Sequence, residues 1–94
     1  WNVPEVKAFS MDKMFPNPFN PSTEINYTVE HDGNMRIVVY NLLGQQVTEL
    51  YNGYQHLGSH KVLWNAENIP SGIYYVNIIH DNGQSESMKA VLLK

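Results

Sequence analysis

Turn signals punctuate this chain at intervals of roughly 8–12 residues, and the stretches between them alternate apolar with polar side chains. Residues 24–30, EINYTVE, put Ile25, Tyr27 and Val29 on one side and Glu24, Asn26, Thr28 and Glu30 on the other. That period of two belongs to a strand with one face buried. Asp32-Gly33 follows, a pair that readily takes the positive φ angles of a tight hairpin. Residues 35–40, MRIVVY, are apolar on both faces except at Arg36, which predicts a central strand or one covered at its outer face. Residues 41–45, NLLGQ, read as a turn with Gly44 in the left-handed conformation. In residues 46–51, QVTELY, the pattern slips, because Val47 and Leu50 cannot share a face at period two. A bulge near Thr48, or an edge position, accounts for the slip. Asn52-Gly53 is expected to break the chain again.

Gly58 leads into SHKVLWN, where His60, Val62 and Trp64 share a face and Trp64 is the expected centre of the core. Pro70-Ser71-Gly72 fits a type I turn. Residues 73–80 form the strongest strand pattern, Asn82-Gly83 is expected to make a two-residue hairpin, and residues 84–93 pair back. No segment keeps a helical period. With a strand expected near residues 6–10, about seven strands emerge. The fold class this predicts is all-β: an immunoglobulin-like sandwich of about seven antiparallel strands with Greek-key connections. Tyr74, two residues past Gly72, falls where such sandwiches carry a tyrosine corner.

At 94 residues the chain suffices for one domain, which buries roughly 60–65% of its unfolded surface. No cysteine supplements the core. Net charge is −3 and the six Lys and Arg residues are scattered, against the basic stripe that nucleic acid requires. No apolar run approaches the roughly 18 residues of a membrane-spanning helix. The chain opens on Trp1 rather than Met, so we read it as a piece of a larger parent, with residues 1–8 a linker and 9–94 the domain.

Residues able to do chemistry are few. His56 and His60 have the spacing of a helical zinc pair, but Gly58 separates them and the following segment reads as strand. Asp32 and Asp81 are turn residues without a second carboxylate nearby in sequence. Ser71 lacks the frame of a nucleophile elbow. Asn26-Tyr27-Thr28 matches a glycosylation sequon in mid-strand. Tyr40, Tyr51, Tyr54 and Tyr75 are less committed to the core and raise a carbohydrate-binding alternative. No catalytic, metal or cofactor site is expected.

Residues 15–23, FPNPFNPST, hold three prolines and two phenylalanines. Phe15, Asn17 and Asn20 each precede a proline and are pushed toward extended geometry. The segment therefore reads as an extended strap, anchored by Phe15 and Phe19, whose missing N–H groups blunt a sheet edge.

The order of motifs resembles the C-terminal sorting domain of type IX secretion cargo from Bacteroidetes and related bacteria. The matching pieces are NPFNPST (Asn17, Pro18, Phe19, Asn20 and Pro21 leading it), VYNLLGQQV around Gly44, Gly58 with Trp64, PSGIYYV around Gly72 and Tyr74, and the ending KAVLLK. DKMFPN departs from the residues that often precede the family's NPF, and Ala90 stands where methionine is common. The Ig-like domain of flagellar hook-capping proteins is a related group; the ending at Lys94 is read as favouring the sorting domain. The resemblance implies export to the periplasm, recognition there by the outer-membrane machinery, and delivery to the cell surface or medium. Its partners would be a shuttle, a sortase cutting upstream, and a cargo domain in the same chain. It also implies that Lys89, Ala90, Val91, Leu92, Leu93 and Lys94 form the recognised tail. That tail is apolar on both faces, as a strand buried on both sides would be; with the resemblance we favour recognition, its second face meeting a neighbouring layer or a receptor groove by strand addition. An accessory module binding carbohydrate or protein is the alternative.

Overall fold

The computed structural model describes residues 7–94, and in it the alternating stretches become seven strands. They are β1 (Phe9–Phe15), β2 (Ser22–Val29), β3 (Gly33–Asn41), β4 (Gln46–Gln55), β5 (Gly58–Asn65), β6 (Gly72–His80) and β7 (Ser85–Leu92). Two antiparallel sheets result, ordered β1-β2-β5 and β4-β3-β6-β7. The chain changes sheet after β2, β4 and β5, giving the crossed connections of an Ig-like sandwich.

The inward sides of both sheets meet in one core. β2 alternates as its sequence requires, with Thr23, Ile25, Tyr27 and Val29 buried. β3 lies between β4 and β6, and even Val38, on its outer side, is fully buried. Trp64 is buried in the core, edge-on to Tyr74 with ring centroids 5.9 Å apart. The Tyr74 hydroxyl donates to the carbonyl of Pro70 at 2.6 Å, the tyrosine corner anticipated above.

β4 resolves the slipped pattern in both of the expected ways. It is an edge strand, and its register against β3 shifts twice, between Ile37 and Val38 and between Val39 and Tyr40. The two extra residues let Val47 and Leu50 both pack against the core.

Several local expectations need correction. The first strand runs over Phe9–Phe15, not 6–10; residues 1–6 lie outside the described residues, and Ala8 is already buried ahead of β1. A bulge between Met11 and Lys13 hid the alternation of FSMDKMF. Asn52-Gly53 does not break the chain but lies inside β4, where Met35 pairs with Gly53 and Arg36 with Asn52. The partner strand overrides the local turn signal. Asp32-Gly33 makes no hairpin, since β2 and β3 lie in different sheets. Gly33 serves close approach instead: a Cβ there would meet the His80 ring at 2.7 Å.

The hydrogen-bonded turn expected at Pro70-Ser71-Gly72 falls earlier, with Ile69 N–H donating to the Ala66 carbonyl. The side chain of Asn65 accepts from Glu67 N–H and stabilises that earlier turn, while the Pro70 carbonyl is committed to Tyr74. The β6–β7 hairpin closes between His80 and Gln84 and so encloses three residues, not two. His80 N–H donates to Gln84 and Gly83 N–H to His80, with Gly83 at φ +99°. The β3–β4 loop repeats this geometry, with Asn41 bonded to Gln45, Gly44 bonded to Asn41, and Gly44 at φ +80°. In both, a glycine takes the left-handed position that a three-residue hairpin demands.

Candidate functional site: a strap fastened to the last strand

Phe15 pairs with Glu24, so β1 and β2 end side by side and the strap between them begins and finishes in nearly the same place. A fully extended segment cannot connect such ends. Residues 16–18 and 20–21 bend instead, and the loop reaches out of its own sheet to the edge of β7 in the other.

There the strap supplies an edge partner. Phe19 N–H donates to the Val91 carbonyl at 2.9 Å, and Leu93 N–H donates to the Phe19 carbonyl at 3.0 Å. The Asn17 side-chain amide extends the pairing. Its Nδ2 donates to the Lys89 carbonyl at 2.8 Å, and its Oδ1 accepts from Val91 N–H at 2.9 Å. Asn17 stands between two prolines that have no N–H, so its side chain supplies the donor that the neighbouring backbone lacks.

Phe19 is the anchor of this segment. It is buried, with its ring centroid 5.0 Å from that of Trp64. Phe15 does not share that role: it is 63% exposed at the end of β1, with Lys13 Nζ 5.0 Å above its ring. Pro18 and Asn20 are exposed, while the Pro21 carbonyl accepts from Ala66 N–H at 2.8 Å. Thr23 is buried, and its hydroxyl donates to the Pro16 carbonyl at 2.7 Å.

The tail strand is thereby divided between two jobs. Ala90 and Leu92 are fully buried in the core, and Ala90 pairs with Tyr74. Lys89 and Leu93 are exposed and Val91 is half-buried on the outward side, across from Ile73. Lys94 is tied down by its N–H to the Ser71 hydroxyl and by its ammonium to the Glu67 carbonyl. The Lys89 carbonyl, both backbone groups of Val91 and the Leu93 N–H already have partners, so strand addition at this edge would require the strap to leave.

A second fastening went unnoticed in the sequence. At the other end of the same side, the Gln84 amide accepts from Ala8 N–H at 2.6 Å and donates to the Phe9 carbonyl at 3.0 Å. Gln84 and Asn17 thus stitch the first strand and its loop to the last strand by side-chain amides.

The two candidate histidines meet different neighbours. His60 stacks on Tyr27 with centroids 5.6 Å apart, and His56 Nδ1 lies 3.7 Å from Asp32. Of the tyrosines behind the carbohydrate alternative, Tyr54 and Tyr75 are exposed and Tyr40 and Tyr51 half-buried, while Tyr27, Trp64 and Tyr74 are buried in the core. Burial, reinforced by the neighbouring Tyr51, pushes the Tyr27 hydroxyl up to about 12. Among the described residues no helix is long and apolar enough to cross a membrane.

A protein-family model described as a secretion system C-terminal sorting domain matches residues 13–93. No match is found among curated proteins, and none among solved structures.

Proposed function

Because the chain belongs to the family of secretion-system C-terminal sorting domains, signals for type IX export to the cell surface or medium, we propose that the machinery reads the folded sandwich through the outward side of its last strand. The contact residues in this reading are Lys89, Val91, Leu93 and Lys94. Ala90 and Leu92 act from beneath, holding that row in place. The observation that supports it is the strap: with the β7 edge already paired, side chains rather than backbone are what a receptor meets.

The parent would cross the periplasm before an outer-membrane shuttle engages this surface, and a sortase would cut upstream, within residues 1–8 or in the cargo. Sorting domains of this family do no catalysis, and the role needs no cofactor. The test is localisation of a fluorescent protein, preceded by a secretory signal and followed by residues 1–94, in a bacterium with a working type IX system. Deleting residues 90–94 would remove core side chains, so point changes on the exposed row are the sharper tool. Lys89→Glu with Leu93→Asp should hold the fusion in the periplasm while circular dichroism shows a native fold. Surface delivery at the parental level by that folded variant would overturn the reading.

A further inference from the structure

Four strands lie at sheet edges: β1 and β5 in one sheet, β4 and β7 in the other. Exposed edges invite pairing with another chain, and proteins usually blunt them with bulges, prolines or covering segments. Three of these edges are blunted in that way. β1 carries the bulge at Asp12, β4 is shifted twice, and the C-terminal end of β7 from Lys89 lies under the proline-rich strap.

Among the described residues β5 has no bulge, proline or covering segment, and Lys61 is its one Lys, Arg, Asp or Glu side chain. Its eight residues, Gly58–Asn65, pair with β2 without a register shift, and it contains no proline. The bond from Ala66 N–H to the Pro21 carbonyl continues that register and fixes its phase. Even-numbered residues of β5 bond to β2, so Ser59, Lys61, Leu63 and Asn65 direct their N–H and C=O groups away from it. Among the described residues no backbone hydrogen bond engages those groups. Leu63, 66% exposed, sits on the outer face beside Glu24 of β2.

We propose that this edge pairs with the same edge of a second copy of the chain, antiparallel, with Val62 opposite Val62. In that register all four outward-directed residues of each strand find a partner. Any other symmetric register leaves one of them opposite nothing in the strand. The same register sets Lys61 of one copy opposite Leu63 of the other. The Lys61 stem then covers the exposed Leu63, and its ammonium reaches Glu24 on the adjoining strand. Two-fold symmetry repeats the contact. The interface is one strand wide, so it falls below the roughly 1,200 Å² of standard complexes, and the dimer is weak.

Sedimentation equilibrium of the full 94-residue chain, from about 10 µM to about 1 mM, reads the association directly. Reversible dimerisation is expected. Lys61→Pro removes an N–H that β2 does not use, and Leu63→Lys brings two lysines together across the interface. Each should raise the dissociation constant about tenfold or more while leaving the monomer's circular dichroism unchanged. Leu63→Lys combined with Lys61→Glu should restore the dimer. A chain that stays monomeric throughout, a dimer indifferent to both single changes, or a double variant without rescue would each overturn the proposal.

Discussion

Where β1 faces β7, two side-chain amides and the Phe19 backbone stand in for a missing ladder: Gln84 holds Ala8 and Phe9, and Asn17 with Phe19 holds residues 89–93. Where β4 faces β5, at the opposite side of the same sandwich, a cleft of about 280 Å³ remains, lined by Val47, Leu50, Trp64 and Ile69 among others. Both sides border the same tryptophan, since Trp64 touches Phe19 on one and lines the cleft on the other. The first side keeps a cleft of its own, about 330 Å³ beside Lys7, Gln84, Ser85 and Glu86. What differs is the kind of tie: polar groups complete the edge of β7 on the first side, whereas on the second, the open side, Gln55 of β4 reaches the Tyr27 hydroxyl of β2.

If the fastened side carries the stability, Phe19→Ala should cost about 3–5 kcal/mol in urea unfolding, against about 1 kcal/mol for the half-buried Leu50→Ala on the open side. Equal costs would erase the distinction. The open side should instead reveal itself at high pH. Tyr27 takes a hydrogen bond from Gln55 of β4, stacks on His60 of β5, and has its hydroxyl pushed up to about 12 from 10.0. The folded state holds that proton more tightly than the unfolded state does. Its contribution is therefore intact below pH 10 and falls away as pH rises through about 12. Unfolding curves of Tyr27→Phe should lack this part of the alkaline loss. The smallest effect belongs to Asn17→Ala, which strands the Lys89 carbonyl and Val91 N–H at a partly wet edge. It should cost about 1–2 kcal/mol, seen as a shift of the urea midpoint at unchanged slope.

These two sides were unequally legible in the sequence. Alternation in 24–30, the double-faced run at 35–40, the slip at 46–51 and the position of Tyr74 are local signals, and the strands and the tyrosine corner followed from them. Turn signals were weaker guides. Asp32-Gly33 and Asn52-Gly53 look alike on paper, yet one begins a strand after a change of sheet and the other sits within a strand. Only the partner strands, far away in sequence, decide that. The strap was recognisable as stiff and edge-blunting from its prolines, but not where it would go. Asn17 meets Lys89, and Gln84 meets Ala8, through contacts that no local pattern encodes. The one clue was that Asn17, set between two prolines, has a side-chain amide where the chain is short of donors.

Asn17 lies 72 residues ahead of Lys89 and 74 ahead of Val91. During synthesis the strap appears early and then has nothing to fasten to while β2 through β6 are made. It can seat only once β7 has emerged and paired with β6, because Val91 and Leu93 are its partners. A chain cut short before Val91 keeps its prolines and Phe19 but leaves the Asn17 amide idle and the Phe19 backbone unpaired. The seated strap is thus a physical record that the strands from β2 to β7 have been built, a certificate of completeness displayed on the outside of a sorting domain.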